Sequence, residues 1–458
     1  MPKSSNQGKL NKLSAEFPFF IYEDFTFSLE PGGLNAKFHF NLGGRYHFYP
    51  SLFIPRKNWA FPDGILQTLL PSLIFHIGMI EMISYWKAAC PPKVIIKPAG
   101  LSREQVQWWK KLYFLGLGEF FYLNSLEVDE NSFMDISTEG DVFHVLATPD
   151  VGAGVIIPVG GGKDSAVTLD LLKDSFATMP LVLNPRGATS AVIEASEIPD
   201  ASAIFISRTV DPQLLELNSQ GFLNGHTPFS ALLAFITLAA ALLSGKRYII
   251  LSNESSANEA TIPGTNINHQ YSKSIEFEND FRDYVSKYIT RKIEYFSFLR
   301  PLNELQIAWL FSRLPAYHRV FRSCNAGSKT DSWCGECPKC LFTFIILSPF
   351  LGIETLKGIF GKDLLDEPGL LTTLQQFTGA AAEKPFDCIG TIDEVNIALC
   401  EIIRKYRGPS FSVLLRNYKD SADYARYREQ DFMASLGSWF PNNLPGPFIT
   451  ILKAALYV

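Results

Sequence analysis

A glycine-rich turn between an apolar run and a helical pattern most constrains how this chain can fold. Residues Val155 to Ile157 predict a buried strand, three glycines follow at Gly160 to Gly162, and an amphipathic helical pattern begins at Ala166. Glycine lets the backbone pass close to a phosphate, and a helix N-terminus presents unpaired N–H groups with partial positive charge. Residues Lys163 to Ser165 add a cation, a carboxylate and a hydroxyl. This order of elements predicts an anion-binding loop in an α/β sheet.

The loop departs from two common phosphate-binding motifs. A Walker A loop ends in Gly-Lys-Ser/Thr four residues after its first glycine, but Ile157 stands at that glycine's position and Asp164 follows the lysine. The dinucleotide pattern Gly-x-Gly-x-x-Gly is not matched either. Residues Gly160 to Ser165 instead resemble the Ser-Gly-Gly-x-Asp-Ser loop of the N-type ATP pyrophosphatases, called PP-loop proteins, with Gly160 replacing the leading serine. The resemblance implies that the loop grips the pyrophosphate of ATP while a substrate oxygen is adenylated.

Composition excludes several classes of protein. The chain has 458 residues, of which 47% are hydrophobic, so wholesale disorder is excluded. The net charge is −5 and no basic stripe is present, which disfavours nucleic-acid binding. The longest apolar stretch, Ile65 to Trp86, includes His76 and Glu81, so we expect a buried helix there and no membrane span. The polar segment Met1 to Leu13 does not have the pattern of a signal peptide.

The hydrophobic patterns predict three consecutive segments. Residues 1–150 combine aromatic-rich alternating stretches with helices, as in an α+β domain. Residues 151–322 alternate strand and helix, which indicates a parallel sheet covered by helices, with nucleotide bound at the strands' carboxyl ends. Residues 323–458 hold a cysteine cluster and then a mostly helical pattern. The predicted fold class is therefore α/β: a PP-loop domain of parallel sheet, an α+β N-terminal domain and a helical C-terminal region.

Four cysteines have the spacing of a metal site. They are Cys324, Cys334, Cys337 and Cys340. Thiolates separated by two residues can converge on one tetrahedral Zn²⁺, and four thiolates would make a closed, structural site. The same spacing also suits a set of buried thiols at a helix start. Either reading fits a reducing cytoplasm, where we expect the protein to work.

Further polar residues follow the ends of predicted strands. They are Arg208, His226, Asn253, Glu254, His269 and Lys273. Because the carboxyl ends of parallel strands meet at one edge of a sheet, these residues are expected to converge on the glycine loop. Lone polar residues of these types also serve as surface charges, helix caps or packed side chains, and the sequence leaves those alternatives open.

The combination of these blocks resembles one family. With Phe75 to Glu81 upstream and Lys384 to Thr391 downstream, the chain is similar to the UDP-N-acetylmuramoyl-L-alanyl-L-glutamate epimerases of bacterial cell-wall synthesis over nearly its full length. The resemblance implies that the terminal L-glutamate of UDP-N-acetylmuramoyl-L-alanyl-L-glutamate is inverted to D-glutamate while ATP becomes AMP and pyrophosphate. The implied partner is that nucleotide-linked dipeptide.

The implied chemistry accounts for the loop. Removing a Cα proton beside a free carboxylate would place a second negative charge next to the first. Adenylation removes the carboxylate charge and turns its carbonyl into an electron sink, so that a side-chain base can take the proton. Mg²⁺ is expected with the ATP, because the triphosphate charge must be neutralised during attack.

Binding roles follow for the loop and the strand ends. We expect Gly160 to Gly162, Lys163 and Ser165 to hold the pyrophosphate. Asp164 is the expected Mg²⁺ partner, although a carboxylate at a helix start is favourable without a metal. Asn253 and Glu254 suit ATP contacts or helix capping. Arg208 and Lys273 suit the substrate's carboxylates or phosphates, or a solvated surface.

Inversion needs groups that move a proton on two faces of the same carbon. His226, His269 and Cys388 are the candidates for this relay, and Asp164 is counted as catalytic through its role in activation. Two other functions remain compatible with the sequence. One is another PP-loop adenylating enzyme, such as a deazapurine synthase or an amide ligase. The other is a nucleotide-binding protein without catalysis, which the Gly160 replacement would tolerate.

Overall fold

The computed structural model of the chain describes residues 6–57, 59–262, 264–381, 383–408 and 410–457. Residues 1–5 of the predicted first segment and residue 458 of the last lie outside these ranges. Contacts between residues divide the chain into two units that interleave along the sequence. The first unit comprises Met1–Ile156, Ile204–Ile249 and Asn266–Tyr295, and the second comprises Ile157–Ala203, Ile250–Thr265 and Phe296–Val458. The division into three consecutive segments stays a prediction.

The described residues form strands and helices in a mixed α/β fold. The strands are β1 Phe19–Glu30, β2 Gly33–Leu42, β3 Tyr46–Phe48, β4 Ser51–Pro55, β5 Lys93–Ile96, β6 Asp135–Thr138, β7 Gly152–Pro158, β8 Thr178–Leu183, β9 Ile204–Thr209, β10 Lys246–Leu251 and β11 Glu294–Ser297. The helices are α1 Gln7–Glu16, α2 Asp63–Trp86, α3 Arg103–Gly116, α4 Gly118–Leu123, α5 Lys163–Leu172, α6 Gly187–Ala195, α7 Pro212–Ser219, α8 Phe229–Leu243, α9 Ile275–Tyr288, α10 Glu304–Ser312, α11 Pro338–Leu347, α12 Ile353–Phe360, α13 Leu371–Thr378, α14 Ile392–Lys405, α15 Val413–Lys419, α16 Ala422–Tyr427, α17 Phe432–Leu436 and α18 Gly446–Leu456.

The first unit contains a mixed sheet in the order β9-β4-β2-β1-β5-β6, with β3 paired to β2. Strands β1 and β2 form a long antiparallel hairpin, as their alternating aromatic residues predicted. The hairpin turn requires glycine at Gly33, because a Cβ there would lie 2.3 Å from the main-chain oxygen of Ile54. Strands β5 and β6 extend the sheet in parallel beyond β1.

Parallel pairing, which the alternation of strands and helices predicted, is confirmed for β7 and β10. Tyr248 pairs with Val155 in this register. Strand β9 differs, because it pairs antiparallel with β4 and places Arg208 opposite Leu52. Strand β4 lies outside residues 151–322, so this antiparallel pair does not contradict the parallel pairing predicted among the strands of that segment. It adds a link between β9 and the N-terminal hairpin that the sequence did not predict.

Helix α2 is the buried core helix that the sequence predicted. It is long and apolar enough to cross a membrane by length and composition, but 78% of its most apolar window is buried inside the described protein. A Cβ at Gly78 would lie 1.9 Å from the hydroxyl of Tyr22, so this glycine lets α2 approach β1 closely. The helix therefore belongs to the core of the first unit.

His76 of α2 lies in a buried polar network. Its Nδ1 donates to the main-chain oxygen of Ser72 at 2.6 Å, and its Nε2 accepts from the hydroxyl of Tyr284 at 3.1 Å. That hydroxyl also accepts from Gln105 at 3.2 Å and from Trp109 at 3.0 Å. Burial lowers the pKa of His76 to about 4, so the imidazole is neutral at pH 7.

The second unit contains β8, α5, α6 and the helices from α10 to α18. Its C-terminal part is helical, as the sequence predicted. Helix α10 begins with a capping box between Asn303 and Gln306, and α14 begins with another between Thr391 and Glu394. These two helix starts meet in the second unit, where Glu304 N–H donates to the Glu394 carboxylate at 2.8 Å.

Candidate active site

The glycine loop joins β7 to α5, as predicted. Gly161 has φ +81°, and a Cβ there would lie 3.1 Å from the carbonyl carbon of Ala188, so both conformation and space require glycine. Gly162 is the N-cap of α5, and no side chain of the described residues caps the helix there. The Ser165 hydroxyl donates to the Gly162 oxygen at 3.0 Å. The first N–H groups of α5 therefore lack a side-chain cap beside a lysine and a serine.

Lys163 lies in a buried ion-pair network. Its Nζ is 2.5 Å from Asp164 Oδ1 and 2.5 Å from Glu304 Oε2. Burial alone would lower the pKa of Lys163, but Asp164 and Glu304 outweigh that effect and raise the pKa above its usual value. Lys163 therefore remains charged, and its charge is held by carboxylates at the start of α5 and of α10.

Further carboxylates lie around this lysine. Burial acts to raise the pKa of Glu304, as do the neighbouring Asp164, Glu254 and Glu394, whereas the ion pair with Lys163 acts to lower that pKa and keeps the carboxylate charged. Glu254 follows β10 and is buried; its carboxylate accepts from Ser256 at 3.1 Å. Asn253, the residue before it, donates to the Ser297 hydroxyl at 3.0 Å. The structure thus brings the predicted Glu254 into the carboxylate cluster near the loop's lysine, while Asn253 binds a neighbouring strand.

Cys388 lies in a segment that packs against the same cluster. Lys384 donates to the main-chain oxygen of Gly390 at 2.9 Å and pairs with Glu259. A Cβ at Gly390 would lie 3.1 Å from Cγ of Glu304. The half-buried Cys388 is two residues before this glycine. It is therefore the proton-relay candidate that lies in the same unit as the glycine loop.

The four predicted metal ligands come together. The sulfurs of Cys324 and Cys337 are 3.7 Å apart, those of Cys334 and Cys340 are 3.7 Å apart, and those of Cys337 and Cys340 are 3.5 Å apart. A tetrahedral zinc site with Zn–S bonds of about 2.3 Å requires sulfurs about 3.8 Å apart. All four sulfurs lie within 4.8 Å of one another, so the residues fit a Zn²⁺ ion.

The cysteine segment also contacts the glycine loop. The N–H of Arg322 donates to the Gly161 oxygen at 2.7 Å, two residues before Cys324. The carboxylate of Asp331, between the first two cysteines, accepts from the N–H of Ala188 at 2.9 Å. The cysteine cluster thereby supports the backbone around the loop.

In the first unit, His226 and His269 lie beside a carboxylate that the sequence did not single out. Oε2 of Glu119, in the first turn of α4, is 3.4 Å from Nδ1 of His226 and forms a short contact with Nδ1 of His269. The two imidazole centres are 4.6 Å apart. Burial, followed by the proximity of His269, lowers the pKa of His226 to about 4. Lys87 and Lys273 also lower it.

Arg208 is paired with a buried glutamate. Its Nε and Nη2 each donate to the Glu81 carboxylate at 2.7 Å, and their side chains are only 14% and 2% exposed. This bidentate pair uses two N–H donors of Arg208 that a substrate carboxylate would need. Lys273, the other predicted substrate-binding cation, lies near the histidine pair of the first unit.

Four charged residues of these sites were not predicted from the sequence to belong to them: Glu81, Lys87, Glu119 and Glu304. Glu304 lies inside a capping box, a pattern that signals a helix start and not a site. Burial lowers the pKa of Lys87 to about 8, but a lone lysine before a turn gives no sequence signal. Glu81 was recognised as a charge inside an apolar helix, where a carboxylate needs a partner, but its pairing with Arg208 was not predicted.

Two family models match the chain. The model of the MurL N-terminal domain matches residues 11–298, and that of the MurL C-terminal domain matches residues 320–431. Three curated relatives are each called UDP-N-acetyl-alpha-D-muramoyl-L-alanyl-L-glutamate epimerase. The protein of Salinispora tropica is 34% identical over 391 residues, 83% of this chain and 84% of the relative. That of Xanthomonas oryzae pv. oryzae is 34% identical over 367 residues, 78% and 80% respectively.

The third relative, from a Micromonospora species, is 33% identical over 406 residues, which is 83% of this chain and 86% of the relative. No solved structure matches the chain significantly. The similarity therefore rests on sequence, and it extends through both family domains.

Proposed function

Because the chain belongs to the family of UDP-N-acetyl-alpha-D-muramoyl-L-alanyl-L-glutamate epimerases, we propose that it inverts the terminal L-glutamate of that dipeptide to D-glutamate and converts ATP to AMP and pyrophosphate. The enzyme is then an ATP-dependent amino-acid epimerase that supplies a peptidoglycan precursor. A PP-loop type of ATP site is part of this proposal.

The glycine loop is the observation that carries the use of ATP. Gly161 has a left-handed conformation, Gly162 starts α5 without a side-chain cap, and a Cβ at Gly160 would meet no described atom within 4 Å. Such a loop can accept a phosphate against main-chain N–H groups. Gly160 to Gly162, Lys163 and Ser165 would hold the pyrophosphate.

The two carboxylates on Lys163 suit different tasks. The Glu304 side chain is 4% exposed, whereas that of Asp164 is 33% exposed. We assign Glu304 to holding Lys163 in place, and Asp164 to Mg²⁺, because Asp164 is the more exposed of the two carboxylates. Mg²⁺ would neutralise phosphate charge as the substrate carboxylate attacks.

Activation makes the Cα proton removable. ATP supplies the adenylyl group that removes the negative charge of the glutamate α-carboxylate. The chain's own groups must then take the Cα proton on one face and return a proton on the other. Water then cleaves the acyl-adenylate, which releases AMP and restores the α-carboxylate of the D-glutamate. We retain Cys388, His226 and His269 as candidates for these transfers, and Lys273 and Arg208 as candidates for substrate binding, with Asn253 and Glu254 near the nucleotide.

The cysteine cluster is proposed to hold one structural Zn²⁺. Its four sulfurs have the mutual distances of a tetrahedral site. Arg322 and Asp331 of the cysteine segment contact the backbone around the glycine loop. The metal would therefore stabilise the loop's conformation. No disulfide joins the cysteines of the described residues, in keeping with a cytoplasmic enzyme whose substrate is a nucleotide-linked precursor.

One experiment tests the proposal as a whole. The purified protein is incubated with ATP, Mg²⁺ and UDP-N-acetylmuramoyl-L-alanyl-L-glutamate in D₂O, and the nucleotides and the glutamate configuration are analysed. We expect AMP, D-glutamate in the dipeptide, and deuterium at its Cα. The variant Asp164→Asn should form neither AMP nor labelled product, because it lacks activation. ADP as the sole nucleotide product, or D-glutamate without deuterium, would refute the mechanism.

A further inference from the structure

The residues Glu119, His226 and His269 form a cluster of proton-transfer groups in the first unit. Glu119 is 9% exposed, and one of its oxygens contacts Nδ1 of both imidazoles. Gly225 permits this arrangement, because a Cβ there would lie 3.0 Å from the ring of Phe120, the neighbour of Glu119 in α4. The loop that carries His226 thus lies directly against the helix that carries Glu119.

The geometry excludes that the two histidines act on opposite faces of one carbon. A base reaches a reacting atom at about 3–3.5 Å, so two bases flanking a Cα atom need reacting nitrogens about 6–7 Å apart with empty space between them. The imidazole centres are 4.6 Å apart, so the rings nearly touch. A tetrahedral carbon with its substituents does not fit between them.

We propose that His226 and His269 form one proton-transfer centre that serves a single face of the glutamate Cα, and that Glu119 is the residue that positions both imidazoles. This inference rests on the proposed epimerisation and adds which groups act together. The second face must be served by a group outside this cluster.

The proton balance of the step is simple. A neutral imidazole takes the Cα proton on its Nε2, and the electron pair of the C–H bond moves into the activated carbonyl. Nδ1–H remains directed at Glu119, whose negative charge stabilises the imidazolium that forms. In the reverse direction the same nitrogen returns the proton. Burial keeps His226 in the neutral form that this step needs, because its pKa is about 4.

The same three groups could also hold a cation, since their ligand atoms lie within 4.8 Å of one another. Proton transfer is favoured because Glu119 already contacts His269 directly, as a hydrogen-bonded pair does.

Isotope exchange in single variants tests the shared face. His226→Gln and His269→Gln are each incubated with the L-epimer, and separately with the D-epimer, in D₂O with ATP and Mg²⁺. Recovered starting material is then analysed for deuterium at Cα. A variant that lacks one face's base can label only the epimer whose base remains. We expect both variants to label the same one epimer, with epimerisation reduced at least about 100-fold.

Glu119→Gln should give the same labelling pattern with a smaller loss, because it keeps the shape but not the charge of the positioning residue. Glu119→Asp should recover part of the activity that Glu119→Gln loses, because aspartate keeps the negative charge. If only the length of the side chain mattered, the shorter aspartate would not recover activity. His144→Ala, an exposed histidine of the same unit, is the matched control and should behave as wild type. Circular dichroism shows that each variant is folded.

The outcomes separate this inference from the proposed function. If His226→Gln labels only one epimer and His269→Gln only the other, the shared face is wrong while the epimerase proposal stands. Wild-type epimerisation in either variant also overturns the inference. If the wild-type protein releases no AMP and inverts no glutamate, the proposed function itself fails, and this inference falls with it.

Discussion

Lys163 and Glu304 form an ion pair at 2.5 Å in which the side chains are only 6% and 4% exposed. The lysine stands at the first residue of α5, where the helix dipole disfavours a positive charge, and the glutamate stands at the first residue of α10, where a negative charge is favoured. The negative charge of Glu304 therefore offsets the positive charge of Lys163, which is unfavourable at the start of α5. Its cost is the desolvation of both ions.

Glu304→Gln should leave Lys163 as a buried cation held by Asp164 alone. We expect the free energy of unfolding to fall by about 3 kcal/mol, since removing one partner of a buried pair leaves an uncompensated charge. We also expect the KM for ATP to rise more than the KM for the dipeptide. Urea denaturation and steady-state kinetics measure these effects. Asp164→Asn, at the more exposed partner, is the control and should cost less stability; equal stability of Glu304→Gln and wild type would contradict the prediction.

The cysteine cluster predicts a zinc content of about one ion per chain, since four thiolates complete one site. Cys337→Ser should lose the metal and lower the midpoint of thermal unfolding, because metal binding is coupled to folding. Cys400→Ala removes a buried thiol of α14 outside the cluster and should retain the zinc. Elemental analysis of the three proteins decides. A wild-type protein that contains no zinc after purification without chelators, and that gains no stability when zinc is added, would exclude the site.

Local patterns predicted much of this fold. The alternation of β1 and β2, the apolar helix α2 and the order of strand, glycines and helix at Gly160 to Ser165 are all short-range signals with a direct structural meaning. The antiparallel pairing of β9 with β4 joins residues far apart in sequence, and neither strand carries a mark of its partner. Pairing between distant strands depends on tertiary packing, which a single sequence does not encode locally.

The residues of the candidate sites were likewise predicted only in part. Residue types with strong chemical meaning, such as the four clustered cysteines and His226 with His269, were found from the sequence. Glu119, the partner of the two histidines, and Glu304, the partner of Lys163, were not found. Each becomes a partner only when segments more than one hundred residues apart meet, as Glu119 does with His226. Arg208 shows the converse. The sequence predicted it as a substrate-binding cation, but in the structure it is paired with Glu81.

The Arg208–Glu81 pair should act on stability. Glu81→Gln should lower the free energy of unfolding by about 3 kcal/mol, because it removes one partner of a desolvated bidentate pair. The double variant Glu81→Met with Arg208→Met should recover most of that loss, since apolar side chains remove both buried charges together. Urea denaturation of Glu81→Met, Arg208→Met and the double variant measures the coupling. Additive losses in the double variant would show that the pair does not interact as its geometry indicates.

His76 should make the protein less stable in mild acid. Its folded pKa is about 4, below the usual value of 6.5, so between these values the unfolded chain binds a proton that the folded chain does not. The free energy of unfolding must then fall as the pH falls through 6.5 and level off below 4, with a loss of about 2 kcal/mol between pH 8 and pH 5 from this residue.

The variant His76→Gln isolates that contribution. Glutamine can still donate to Ser72 and accept from Tyr284, but it does not titrate. His226 also has a pKa of about 4, and its contribution is present in both proteins, so it cancels in the difference. Urea denaturation at several pH values should therefore show a shallower loss of stability in acid for His76→Gln than for wild type. Parallel curves would mean that folding does not lower the pKa of His76, and that the buried network to Tyr284, Gln105 and Trp109 does not keep the imidazole neutral in mild acid.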